Sequence, residues 1–147
     1  MSTRPIASRL LVAAQFTLIA WLIWPFSPQV WTPAALALAV GATALGVWTL
    51  AHNRLGNFNI RPEPRTGARL VTRGPYRFMR HPMYAAVLLF AAAETVAYAD
   101  AWKIIASLAL ALVLAAKAVL EERGLREQFP GYADYAKRVR RIIPGLF

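Results

Sequence analysis

The sequence contains no cysteine, which excludes disulfides, thiolate nucleophiles and cysteine-based metal sites. Acidic residues are also scarce. Seven Asp and Glu stand against 17 Lys and Arg, a formal charge of +10. Histidine occurs only at positions 52 and 81, and we read no metal site. Polar residues are sparse over four long stretches. Hydrophobic residues make up 58% of the 147 positions, and mean hydropathy is +0.41. That exceeds what a soluble domain of this size carries and matches a small helical membrane protein. The length admits one domain, 1–147. The excess of basic charge invites a nucleic-acid reading. Its placement argues against one, because the basic residues sit at the ends of apolar runs, as in a protein facing anionic lipid on one side. We therefore expect a membrane partner and no nucleic acid.

Taken in order, the chain predicts an all-α polytopic protein with four spans, at about 10–25, 33–52, 82–98 and 101–121. The first follows a short basic start and is broken only by Gln15 and Thr17. A basic start before an apolar run resembles a signal peptide, but no small-residue cleavage site follows. Trp21, Trp24 and Trp31 are expected near the outer interface. Thr32-Pro33 reads as a cap and first helical residue. Ala42 and Gly46, four apart, are expected to let another helix approach closely. A turn-rich loop, 53–81, carries seven arginines: Arg54, Arg61, Arg65, Arg69, Arg73, Arg77 and Arg80. Within it Leu70-Val71 should tuck back against the bundle. Glu94 should snorkel or pair with Lys103. His52 reads as interface filler or, less simply, as a group touching ligand. After the fourth span the segment 123–147 is expected to hold a helix lying in the interface, with Tyr132, Tyr135, Ala136 and Val139 on its apolar face. The short connections between spans one and two and between three and four hold almost no charge. By the positive-inside rule, both termini and the long loop are cytoplasmic, in what we expect to be a bacterial inner membrane.

The chemistry-bearing residues gather at two places. Arg80, His81 and Tyr84 flank Pro82. Proline is well tolerated at the first helical position and disfavours helix at the residue before it, so His81 reads as the cap. A helix start with Arg80 beside it suits an anion. Glu121-Glu122 closes the fourth span, where the helix dipole favours cations, so the pair calls for a positive partner. Arg123, Arg126 or a bound cationic ligand would serve. Because spans three and four form an antiparallel hairpin, both places emerge on the same side. A ligand with a carboxylate, an ammonium and a sulfonium, such as S-adenosylmethionine, is one match among several.

The run Gly74-Pro75-Tyr76 … Arg80-His81-Pro82-Met83-Tyr84, followed by Glu121-Glu122 … Leu125 … Phe129 … Tyr132 … Tyr135 … Val139 … Ile143-Pro144, resembles the isoprenylcysteine carboxyl methyltransferase family. The phospholipid N-methyltransferases share a looser version. The likeness covers Leu70 to Pro144 and requires several ordered elements. It implies a membrane enzyme that uses S-adenosylmethionine to methylate a lipophilic acceptor. By position, His81, Tyr84, Glu121 and Glu122 would hold the cofactor, and Leu70, Val71 and Tyr76 would line its adenosine side. Tyr132 and Tyr135 would lid the pocket, with Tyr135 among the cofactor contacts. Arg80 would orient an anionic group between cofactor and acceptor, and Glu122 or His81 would act as base for an amine or thiol. Where the family usually has glycine two residues after the motif tyrosine, this chain has Ala86. A second resemblance, to NADPH-dependent sterol reductases, rests on Arg80-His81-Pro82-Met83-Tyr84 and the tail 141–147. The Glu pair and the small size favour the methyltransferase. A non-enzymatic scaffold whose basic loop binds anionic lipid is the third reading.

Overall fold

The computed structural model describes residues 4–53, 67 and 69–145. Arg54, Arg61 and Arg65 of the expected loop, and the last two residues of the tail, lie outside them. Among the described residues there are five helices and no strand: α1 (Arg4–Ile23), α2 (Pro33–Asn53), α3 (Pro82–Tyr98), α4 (Ala101–Gln128) and α5 (Tyr132–Arg138). α1, α2 and α4 are long and apolar enough to cross a membrane, and α3 is a shorter apolar helix of 17 residues. At 1.5 Å per residue α3 is about 25 Å long, the low end for a span. This is a helical membrane protein.

Two pairings organise the bundle. α2 packs along α3, α1 packs along α4, and α3 also touches α4. The first pairing uses small residues, as expected from Ala42 and Gly46. Ala42 and Ala86 are buried, Gly41 faces Leu89, and Gly46 faces Ala86. In a bilayer, helices gain little from hydrophobic burial, so close approach and dispersion contacts hold them together. The other helices meet around Leu22, Ala91, Ala106, Leu110 and Leu114. Thr32 caps α2 through a hydrogen bond from the Ala35 N–H to its Oγ1, at 3.2 Å, which satisfies one of the unpaired donors of the first turn.

At the end of the bundle holding Trp21, Trp24 and Trp102, all exposed, the structure corrects one expectation. Lys103 does not pair with Glu94. Its ammonium donates to the carbonyls of Leu22 and Trp24, so it closes the C-terminus of α1, where backbone oxygens lack helical partners. The same ammonium lies 4.4 Å from the centre of the Tyr98 ring. Glu94 is 1% exposed, and neither carboxyl oxygen has a partner among the described residues.

At the opposite end, α4 runs two turns beyond the expected limit of 121. Glu121 to Gln128 contains mostly good helix formers, and the helix stops before Phe129-Pro130, where proline disfavours helix at the preceding residue. The apolar face of α5 also differs from expectation. Tyr132 and Tyr135 are 1% and 5% exposed, so that face packs on the protein and not on lipid. The pairing of Lys137 with Asp134 remains on the outside.

Candidate active site

The approach to α3 is shaped by a 3-10 turn, Gly74–Arg77. Gly74 has φ of +60°, and a Cβ there would lie 2.3 Å from the His52 ring. Only glycine takes this backbone and this proximity without strain. His52 is in turn held by its Nδ1 near the Trp48 carbonyl (2.9 Å) and by edge contact with the Trp48 ring. It is therefore the seat on which the turn rests. The signal in the sequence was Gly74-Pro75, whose partner only the fold identifies. Leu70 and Val71 are half-buried on the way into this turn.

After the turn, residues 79–81 run beside the tail. Met79 and Arg140 form a parallel bridge, and the N–H groups of Arg80 and His81 donate to the carbonyls of Arg140 and Arg141, each at 2.8 Å. The Arg80 guanidinium then turns inward. Its Nε and Nη2 reach Glu122 Oε1 at 2.8 and 2.7 Å, and its Nη1 donates to the carbonyls of Ala136 and Val139. Arg141 donates to the other Glu122 oxygen at 3.2 Å. One buried carboxylate thus ties the start of α3, the end of α4 and the tail together. At the helix start where the sequence suggests an anion, the Arg80 guanidinium is held by Glu122 and the tail. The Glu pair also draws its partners from elsewhere than Arg123 and Arg126. Arg126 instead lies over the Tyr132 ring.

Glu121 has different surroundings. Its side chain is 28% exposed, against 3% for Glu122. Its Oε2 accepts from the Tyr84 hydroxyl at 2.9 Å and lies 3.6 Å from His81 Nδ1. The other ring nitrogen of His81 lies 3.2 Å from Glu122 Oε1. His81 therefore bridges the two carboxylates, stacked on Tyr84 with ring centres 5.2 Å apart and planes 6° from parallel. It begins α3 as expected but makes no side-chain cap; its ring serves the carboxylates.

The apolar segment of α4 ends at Leu120, and Glu122 lies beyond it. Burial alone would raise the Glu122 carboxyl, but hydrogen bonds from His81 and Arg80, with their charges, outweigh that and hold it down to about 2. Burial pushes the hydroxyls of Tyr76, Tyr132 and Tyr135 up, so all three are protonated donors. Tyr135 donates to the Tyr76 carbonyl at 2.7 Å, tying α5 to the 3-10 turn. The Tyr132 hydroxyl is buried with no partner among the described residues, and Glu122, Arg80 and Glu121 are the charges acting on it.

Two further polar residues join this end of the bundle. Lys117, one turn before Glu121, is 2% exposed. It donates to Gln15 of α1 and lies 5.5 Å from the centre of the Tyr84 ring. A lysine inside an apolar run is itself a signal. Arg141 had none, since its role depends on the tail folding back.

The structure thus gathers Arg80, His81, Tyr84, Glu121 and Glu122 into one cluster, with Tyr76 and Tyr135 linked to each other beside it. A cobalt-zinc-cadmium resistance protein of Cupriavidus metallidurans is 40% identical over 79 residues, 52% of this chain and 36% of that protein. A nickel-cobalt-cadmium resistance protein of Alcaligenes xylosoxydans xylosoxydans is 37% identical over 123 residues, 79% of this chain and 53% of that protein. The chain thus spans between a third and about half the length of these relatives. The family model for phospholipid methyltransferase matches residues 31–131, which include α2, α3, α4 and all five residues of the cluster, and the chain belongs to the phospholipid methyltransferase family.

Proposed function

We propose that the protein transfers a methyl group from S-adenosylmethionine to a lipophilic or membrane-associated acceptor, at the cytoplasmic end of the bundle. The observation that carries this reading is the carboxylate of Glu121, partly exposed and set between the Tyr84 hydroxyl and the His81 ring. The residues suit the cofactor's charge pattern. Glu121 offers a negative group to an ammonium or sulfonium. The buried Tyr132 hydroxyl, with no hydrogen-bond partner among the described residues, offers a donor. Leu70, Val71 and Tyr76 supply half-buried surface for an adenine. When bound, S-adenosylmethionine supplies a methyl carbon already activated by its sulfonium.

The protein's part is positioning and charge complementarity. Glu122, with its carboxyl held near 2, is a poor base at neutral pH. In this reading Glu122 and Arg80 hold the frame, and both leave the proton chemistry to others. An acceptor that arrives as a carboxylate needs no base. An amine or thiol would hand its proton to Glu121, the more open of the two carboxylates.

A binding titration of purified protein with S-adenosylmethionine, S-adenosylhomocysteine and NADPH tests the reading. Saturable binding of the first two is expected. Binding of NADPH alone would replace it with a reductase, and binding of none would leave a lipid-binding scaffold.

A further inference from the structure

Lys103 and Lys117 both sit in the apolar stretch of α4, and they are only 4% and 2% exposed. Lys103 is accounted for by the carbonyls at the end of α1. Lys117 has a different setting. It lies one turn before Glu121, and residues four apart on a helix share a face. A lysine this near the end of a span can extend its stem toward water. Here the ammonium turns inward, donates to Gln15 Oε1 of α1 and stands 5.5 Å from the centre of the Tyr84 ring. The same tyrosine donates to Glu121 Oε2 at 2.9 Å, and Glu121 is the charged group that acts on the ammonium. Tyr84 thus links a positive side chain to a negative one.

A bond between α1 and α4 does not call for a charge. A neutral amide on α4 can meet Gln15 equally well, whereas a charge within the apolar part of a helix is costly. What lysine adds is its charge, and its neighbour is the carboxylate set to meet the methyl donor. Glu122, by contrast, is balanced by Arg80 and Arg141.

We infer that Lys117, held by Gln15, sets the charge of the donor site: it offsets Glu121, so that the site places a sulfonium without gripping it. This rests on the proposed function. In methyl transfer the C–S bonding pair stays on sulfur, the acceptor supplies the pair of the new bond, and a sulfonium becomes a neutral thioether. An uncompensated carboxylate would favour the full cation before transfer over the dispersing charge during it. Only interactions that strengthen in the transition state speed a reaction. Lys117 acts through Tyr84 and Glu121 and is a positioning residue. Gln15 lies outside the stretch that the family model matches, so α1 contributes to the site by this contact.

The test compares the dissociation constants of the purified protein for S-adenosylmethionine and S-adenosylhomocysteine by calorimetry. The two ligands differ by one methyl and one positive charge, so contacts common to both cancel in the ratio. Lys117→Met keeps the length and removes the charge, and it should fold because an apolar residue replaces a buried ion. It should shift the ratio toward S-adenosylmethionine at least about fivefold, the scale of one weakly screened charge nearby. Gln15→Glu, which gives Lys117 a charged partner on α1, should shift the ratio in the same direction with the lysine still present. Lys117→Arg should keep the wild-type ratio. Equal weakening of both ligands by Lys117→Met would make the contact purely structural and overturn the inference, as would a shift toward S-adenosylhomocysteine. Wild-type protein that binds neither ligand would bring down the proposed function and this inference with it. Binding of both by wild type, with a ratio that neither Lys117→Met nor Gln15→Glu moves, would strike the role of Lys117 alone.

Discussion

Glu121 and Glu122 are neighbours in the chain and opposites in surroundings. Glu122 is enclosed by Arg80, Arg141 and His81; Glu121 is open on one side and holds Tyr84. Their amide variants should therefore fail differently. Glu121→Gln should weaken S-adenosylhomocysteine binding at least about tenfold, or 1.4 kcal/mol, with little change in melting temperature. Glu122→Gln should lower the melting temperature, because it strands a buried arginine that had a charged partner. Calorimetry for the first and a thermal melt for the second distinguish them. The depressed carboxyl of Glu122 also carries a pH dependence. Its folded value lies below its ordinary 4.5. The stability it contributes is complete above about 4.5 and is lost as pH falls toward 2. Melting curves across that window should show the loss in wild type and not in Glu122→Gln.

At the scale of elements, the 3-10 turn before α3 depends on two contacts remote in sequence. Gly74→Ala forces a left-handed alanine, about 1–2 kcal/mol, against the His52 ring. If the ring is the obstacle, His52→Ala should recover part of that loss, and a double-mutant cycle of thermal stabilities would show the coupling. Tyr135→Phe removes the hydroxyl that reaches the Tyr76 carbonyl and should cost about 1 kcal/mol. The four main helices were legible because apolar runs, Thr32-Pro33 and His81-Pro82 mark them locally. The end of α4 was not. The expected limit followed the end of apolar residues, whereas the helix ends where the backbone is blocked at Phe129-Pro130. α5 shows the complementary difficulty. Its apolar face was evident, but amphipathic spacing is silent on whether lipid or protein covers that face.

For the whole molecule, the basic residues predict that α1 begins, and α4 and the tail end, on the cytoplasmic side. The absence of native cysteine permits a direct check. Arg138→Cys, on the exposed side of α5, should react with a membrane-impermeant thiol reagent in inside-out vesicles and resist it in intact cells. Reaction in intact cells would reverse the orientation. The sequence by itself determined that the chain is helical, that it belongs in a membrane, and which two stretches carry the charge. Those properties follow from composition and local patterning, to which each residue contributes without reference to distant ones. Only the tertiary structure decided how those charges are shared. Arg80 meets the glutamate 42 positions away, and the tail supplies Arg141 to the same carboxylate. A buried carboxylate is held by whichever donors the packing brings within hydrogen-bond reach, and that is a property of the folded arrangement.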